Sequence, residues 1–134
     1  MRVIAFGSEM IMQRVSTSLA GEGIDVVSTS DRPQAMALLK HERLDLAVVD
    51  ALVEDVEASC RCIRELWGIP VVLIVRERQA DWERLQSLDT DGYIPERAGA
   101  AELAARLRAV VRHRSERRDP GLDCLTLGVE DWAR

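Results

Sequence analysis

Apolar and polar positions form two patterns that alternate along the chain, short apolar runs and segments with helical spacing. Five short runs rich in apolar residues have the length of buried strands, namely Arg2–Gly7, Ile24–Ser30, Leu44–Asp50, Ile69–Val75 and Gly92–Pro95. Between the runs, apolar residues recur at helical spacing, as Ile11, Val15 and Leu19 do. The pattern therefore predicts strands and helices in regular alternation.

Five helices are predicted, at Glu9–Ala20, after Asp31, and at Asp55–Trp67, Gln79–Leu88 and Ala100–Arg114. Asp31 is placed to cap the second helix, because Pro33 lies in its first turn and Gln34 stands at capping-box spacing. The residues predicted to face inward are Ala35, Leu38 and Leu39 in the second helix, Ser59, Cys62, Ile63 and Leu66 in the third, Trp82, Leu85 and Leu88 in the fourth, and Leu103, Leu107, Val110 and Val111 in the fifth.

Near-continuous apolar strands that alternate with helices favour a parallel sheet covered on both faces. Right-handed crossovers then give an α/β, doubly wound, five-stranded sheet in the order 2-1-3-4-5, with helices on both faces, as in flavodoxin-like folds. Residues 115–121 (SERRDPG) interrupt the pattern and are typical of a linker. The sequence thus predicts one domain over residues 1–115 and a linker and tail over 116–134.

Composition limits the classes of protein that the chain can belong to. A net charge of −5 gives no general attraction to nucleic acid or anionic membranes. No apolar stretch approaches the roughly 20 residues that span a bilayer, and the three cysteines, an odd number without a signal-peptide pattern, fit a reducing cytosol. We therefore expect a cytoplasmic protein without a membrane segment.

Asp50 is the strongest candidate for chemistry, because it closes the central strand, and ligands of open α/β sheets bind at the carboxyl ends of strands. The sequence contains no nucleophile–base pair, Gly-rich phosphate loop or metal cluster, so we expect neither an enzyme nor a cofactor. Cys60 and Cys62 would point about 200° apart on a helix and could not ligate one metal. Asp50 could also be an ordinary strand-end acid that caps the next helix or hydrogen-bonds Ser8.

The order and lengths of the elements and the run DLAVVD resemble the receiver domain of two-component response regulators, over residues 1 to about 115. The stretch ELAARLRAVVRHR, preceded by DTDGY, is similar to the last receiver helix of the OmpR/PhoB group of transcription regulators. The tail LTLGVEDWAR resembles the first strands of that group's winged-helix domain. This resemblance implies a CheY-like fold, with DNA bound only through a C-terminal domain that is not in this chain.

Of the five key positions of the receiver phosphorylation site, only Asp50, the phosphoacceptor position, matches. Receivers place two Mg²⁺-binding acids after strand one, where this chain has Gly7 and Ser8, and Glu9 is the nearest acid. Glu9 could equally be a helix-start acid that interacts with the helix dipole. With one carboxylate instead of three, we expect no metal at this site.

Two further receiver positions are also replaced. A Thr or Ser that contacts the phosphoryl group is here Val75, and a Lys after strand five is here Glu96. Because phosphoryl transfer depends on positioning and charge neutralisation, we expect a degenerate phosphoacceptor pocket made of Asp50, Ser8, Glu9, Val75 and Glu96.

The resemblance also implies a homodimer. In the family, the fourth helix, fifth strand and fifth helix form a symmetric interface of paired charges. Asp91, Glu102 and Arg106 match such positions, Arg84 could add a cation, and Leu103 or Val110 could supply an apolar centre. A basic cluster near the end of the last helix could take part in this interaction or could be a solvated helix terminus. It consists of Arg106, Arg108, Arg112, His113, Arg114, Arg117 and Arg118.

Two functions remain open. The favoured one is a receiver-like regulatory and dimerisation domain of a transcription regulator that acts without conventional Asp phosphorylation. Its input would be a small ligand or partner protein at the degenerate pocket, or no input beyond constitutive dimerisation. The alternative is a phosphate-accepting receiver with slow, degenerate phosphorelay chemistry.

Overall fold

The computed structural model describes residues 1–76, 88 and 90–117. These residues form one five-stranded sheet in the order β2-β1-β3-β4-β5, in which every neighbouring pair is parallel. The strands are β1 Arg2–Phe6, β2 Asp25–Thr29, β3 Leu46–Asp50, β4 Val71–Val75 and β5 Gly92–Pro95. The predicted fold class and strand order are confirmed.

The helices are α1 Glu9–Ala20, α2 Arg32–His41, α3 Val56–Cys62 with a π-helical turn at Ile63–Trp67, and a C-terminal helix Ala100–Arg117. The C-terminal helix runs three residues beyond its predicted end at Arg114, because Ser, Glu and Arg tolerate a helix and the first breakers, Pro120 and Gly121, come later. The predicted fourth helix, with Trp82, Leu85 and the candidate interface residue Arg84, lies outside the described residues, except for Leu88. The tail from Arg118, with Cys124, lies outside them as well.

Each face of the sheet has its own apolar core, because successive strand residues point to opposite faces. In β3, Leu46 and Val48 pack with α1 and the C-terminal helix, whereas Ala47 and Val49 pack with α2 and α3. All five residues of β3 and all five of β4 are buried. This burial on both sides explains why the strands are continuous apolar runs in the sequence.

Capping and spacing account for two of the helices. The Asp31 side chain accepts a hydrogen bond from Gln34 N at 3.2 Å, so the predicted cap of α2 is confirmed. In α1, Ile11, Val15 and Leu19 are buried as predicted, together with Met12.

In α3 the prediction of the inward face was partly wrong. Cys62 was predicted to face inward and is exposed, whereas Cys60 is buried. The buried positions are Val56, Ser59, Cys60 and Ile63, which have the i, i+3, i+4, i+7 spacing of one helix face. Ser59 and Ile63 belong to both the observed face and the predicted face. Val56, the first residue of α3, is buried and belongs only to the observed face.

Candidate functional site

Asp50 ends β3 with its carboxylate turned inward, and only 1% of the residue is exposed. Leu52 N donates to its Oδ1 at 3.0 Å, and Ser8 N donates to its Oδ2 at 3.4 Å. Both bonds come from main-chain groups where the chain leaves β3 and β1. Asp50 therefore ties together two connections at the carboxyl edge of the sheet. The hydrogen bond with Ser8 agrees with the ordinary strand-end interpretation, whereas Asp50 does not cap α3, whose N-cap is Asp55.

Arg76 supplies the positive charge that a buried carboxylate needs. Its NH2 group lies 3.4 Å from Asp50 Oδ2, and its Nε lies 3.7 Å from Glu96 Oε2. One arginine therefore stands between two of the predicted pocket residues and connects them. Sequence reasoning missed Arg76, although a signal existed, because it follows β4 directly and β4 pairs with both β3 and β5.

Gly7 is packed against the candidate phosphoacceptor. A Cβ built on Gly7 would lie 2.3 Å from Asp50 Cβ and 3.3 Å from Asp50 N. Carbon atoms that are not bonded do not approach this closely. With this backbone, no side chain, and so no metal-binding acid, can stand at position 7.

The remaining predicted pocket residues have different environments. Val75 is 6% exposed and belongs to the core beside α2 and α3. Glu9 is exposed in the first turn of α1, where an acid is favourable with the helix dipole. Within the described part of the chain, no group of three or more His, Cys, Asp or Glu side chains is placed to hold a metal ion.

An open cleft lies above Asp50. It is lined by Phe6, Gly7, Ser8, Ser30, Arg32, Asp50, Leu52, Val53, Glu54 and Arg76. Two of these residues carry guanidinium groups, Arg32 at the start of α2 and Arg76 after β4. Of the predicted pocket residues, Ser8 and Asp50 line the cleft, and Glu96 reaches it only through Arg76.

On the opposite side of the domain, Asp91 is held by contacts within the chain. Val71 N donates to its Oδ2 at 2.8 Å, and Arg64 and Arg114 lie 3.7 and 3.8 Å from its carboxylate. Arg114 also donates to the carbonyl oxygen of Gly68 at 2.7 Å. Asp91 thus anchors the end of the C-terminal helix to the start of β4.

Glu102 and Arg106 form an exposed i, i+4 ion pair of 2.8 Å on the C-terminal helix. The structure contradicts the prediction that Leu103 could supply an apolar interface centre, because Leu103 is 4% exposed and packs against α1 and the sheet. Val110 is half-buried against the same core. Arg108 donates to the carbonyl oxygen of Glu22, so part of the basic cluster serves the domain's own packing.

No helix among the described residues combines the length and apolarity that crossing a membrane requires. No protein-family model matches the chain. The chain is similar to the heme response regulator HssR of Staphylococcus aureus, with 30% identity over 105 residues, which is 76% of this chain and 47% of the relative. It therefore spans about half the length of the curated relatives that it matches.

Solved structures show the same fold at low sequence identity. A CheY-like response regulator receiver domain protein from Methanospirillum hungatei has a TM-score of 0.73 and 15% identity, covering 87% of this chain and 98% of that one. The receiver domain of a sensor histidine kinase from Pseudomonas aeruginosa, with a magnesium ion coordinated in its active-site cleft, has a TM-score of 0.70 and 20% identity. That match covers 83% of this chain and 97% of the other.

Proposed function

We propose that this chain, a response regulator receiver domain with the CheY-like fold, is the regulatory and dimerisation domain of a transcription regulator that acts without conventional phosphorylation of Asp50. The observation that carries this proposal is the environment of Asp50, where Arg76 pairs with the carboxylate and Gly7 packs against its Cβ.

Metal binding is disfavoured at this site for reasons of both charge and space. Mg²⁺ prefers octahedral oxygen coordination and is usually held by carboxylates together with phosphate and water. The Asp50 carboxylate is already bonded to two main-chain N–H groups and to a guanidinium. A cation would have to displace Arg76, and the close packing at Gly7 leaves no room for a second acidic ligand there.

Phosphoryl transfer to Asp50 is disfavoured for a related reason. The reaction relies on cations that neutralise the transferring group and on an attacking oxygen in line with it. Only 2% of the Asp50 side chain is exposed, and one of its oxygens faces Arg76. Glu96, which pairs with the other side of Arg76, carries a negative charge that would repel an incoming phosphoryl group.

One observation favours the alternative function, a phosphate-accepting receiver with slow chemistry. Arg76 is a cation within 3.4 Å of the acceptor oxygen, and arginine binds phosphate well. If Arg76 moved from Asp50 to a phosphoryl donor, it could replace part of the charge that a metal supplies. The two functions therefore predict opposite results for the same experiment.

Incubation with acetyl phosphate and Mg²⁺, followed by intact-mass measurement, tests the proposal. We expect no phosphorylated species in the wild-type protein and none in Asp50→Asn. A phosphorylated fraction that is absent from Asp50→Asn and lost in Arg76→Gln would support the slow phosphorelay and contradict the favoured function.

For output, we propose a homodimer formed by the predicted fourth helix, β5 and the C-terminal helix, with DNA bound through a domain beyond this chain. Glu102 and Arg106 are exposed on that helix and could exchange their pair across a two-fold axis. Asp91 could contribute only by loosening its contacts with Arg64 and Arg114. Arg84 stays a prediction. We expect such a regulator to act in the cytoplasm.

A further inference from the structure

The cleft above Asp50 has two cationic walls. Arg32, the first residue of α2, donates from NH2 to the carbonyl oxygen of Glu54 and so holds its guanidinium across one rim. Arg76 approaches from the end of β4. The two guanidinium groups come from separate elements on either side of β3 in the sequence, and both line the same cleft.

The carboxylates of the cleft do little to oppose this positive charge. Asp50 accepts hydrogen bonds from three groups and is buried, so it presents little uncompensated negative charge to the cleft. Glu54 is exposed on the rim, where it can turn toward solvent. Glu96 pairs with Arg76 but does not line the cleft.

The ion pairs that Arg76 makes with Asp50 and Glu96 are long enough for competition. Its contacts with Asp50 and Glu96 measure 3.4 and 3.7 Å, whereas charge-assisted N–H···O bonds are usually about 2.7–2.9 Å. A carboxylate or phosphate that enters the cleft can approach the guanidinium more closely than either acid does, and arginine suits such groups because its donors form a planar fork.

The rest of the lining indicates what the remainder of a ligand would be. Ser8 and Ser30 offer hydroxyl groups, and Phe6, Leu52 and Val53 form an apolar wall. Leu52 is 52% exposed and can therefore contact a molecule bound in the cleft. We propose that this cleft binds a small organic anion, with a carboxylate or phosphate group between Arg32 and Arg76 and an apolar body against Leu52, without a metal ion. This inference rests on the proposed function and names the chemical class of its input.

The test is to titrate the protein with benzoate, phenyl phosphate, inorganic phosphate and Mg²⁺ separately, at constant ionic strength. Backbone amide shifts are monitored by NMR at each step. We expect saturable shifts of the Gly7, Ser8 and Leu52 amides with benzoate, phenyl phosphate or both, which also identifies the preferred head group. Arg32→Gln should weaken binding about tenfold, as expected when a hydrogen bond to a charged group is lost.

Two further variants make the result specific. Arg76→Gln should weaken binding similarly, but it also leaves Asp50 without its cation and could unfold the domain. Arg32→Gln leaves the Asp50–Arg76 pair in place and therefore keeps the test valid. Arg112→Gln is the control, because Arg112 is exposed on the C-terminal helix and has no ion pair within the described residues.

The proposal is overturned if neither organic anion binds saturably, if Arg32→Gln binds as tightly as Arg112→Gln does, or if Mg²⁺ shifts the same amides while the anions do not. Inorganic phosphate binding as tightly as phenyl phosphate would overturn the role of the apolar wall. Failure of these titrations would leave the acetyl phosphate result unaffected, so the anion site and the phosphorylation-independent function can fail separately.

Discussion

Replacing Gly7 with alanine should destabilise the domain strongly, although it adds a single methyl group. The new Cβ would lie 2.3 Å from Asp50 Cβ, whereas non-bonded carbon atoms prefer about 3.5–4.0 Å. One of the two residues must therefore move by more than about 1 Å. Gly7 follows β1, and Asp50 belongs to β3, which is hydrogen-bonded on both sides, so neither residue can move easily.

Overpacking of this kind costs about 1–3 kcal/mol, and sometimes more. A loss of about 2 kcal/mol changes the ratio of folded to unfolded protein roughly 30-fold. Urea unfolding followed by circular dichroism measures this as a lower midpoint with an unchanged slope.

Gly92→Ala is the matched control, because Gly92 also belongs to this sheet and a Cβ there would meet nothing within 4 Å. We expect that variant to stay within about 0.5 kcal/mol of the wild type. If Gly7→Ala were no less stable than Gly92→Ala, the close approach of β1 and Asp50 would be refuted, together with the argument that no acid fits at position 7.

Burial raises the pKa of the Cys60 thiol from 9.0 to about 12, against a smaller opposing effect of Arg64. Because the folded state keeps a proton that the unfolded state loses, the contribution of Cys60 to stability should be fully present below pH 9.0 and be lost between pH 9.0 and about 12, by at most about 1.4 kcal/mol per pH unit. Cys60→Ala should remove this part of the pH dependence in urea unfolding. Native alkylation should modify the exposed Cys62 and spare Cys60, and peptide mapping can separate them because trypsin cleaves at Arg61; equal modification would contradict the buried position of Cys60. The unmodified protein should form a salt-sensitive homodimer in sedimentation, weakened by Arg106→Glu but not by Arg112→Glu, and a monomer throughout the micromolar range would refute the proposed interface.

The fold was predictable from the sequence because a doubly wound sheet repeats one pattern. In β3 and β4 every residue is buried. These strands are therefore apolar runs in the sequence, and they can be recognised without knowing which helices pack on them. Errors arose where two local solutions were nearly equal, as in α3, where Cys60 and Cys62 belong to alternative helix faces. The choice between those faces depends on which side of the helix meets β3, and sequence periodicity does not contain that information.

The candidate site was predictable only in part. The position of Asp50 follows from the end of a strand, and the ordinary hydrogen bond to Ser8 was anticipated. Arg76 was missed although the predicted strand order places it between the ends of β3 and β5, because strand order does not show the direction in which a long side chain turns. Asp91 shows the same limit, since its bonds to Val71, Arg64 and Arg114 join three separate segments.

The source of positive charge beside Asp50 determines what could change the state of this domain. In the Pseudomonas receiver, a magnesium ion is coordinated in the active-site cleft, and such an ion can bind or leave. Here the cation is a side chain of the same chain, so its effective concentration beside Asp50 is high at all times. On the proposed function, a signal that acts on this pocket competes for Arg76 rather than adding a cation. Such a ligand shifts the domain only if its affinity differs between Arg76 paired with Asp50 and Arg76 paired with the ligand. An anion satisfies this condition, because it attracts the guanidinium away from Asp50 and Glu96, and Glu96 lies in the turn that follows β5 and precedes the C-terminal helix. The same cleft therefore provides, on the proposed function, a physical route from a small anion to the helix that carries Glu102 and Arg106.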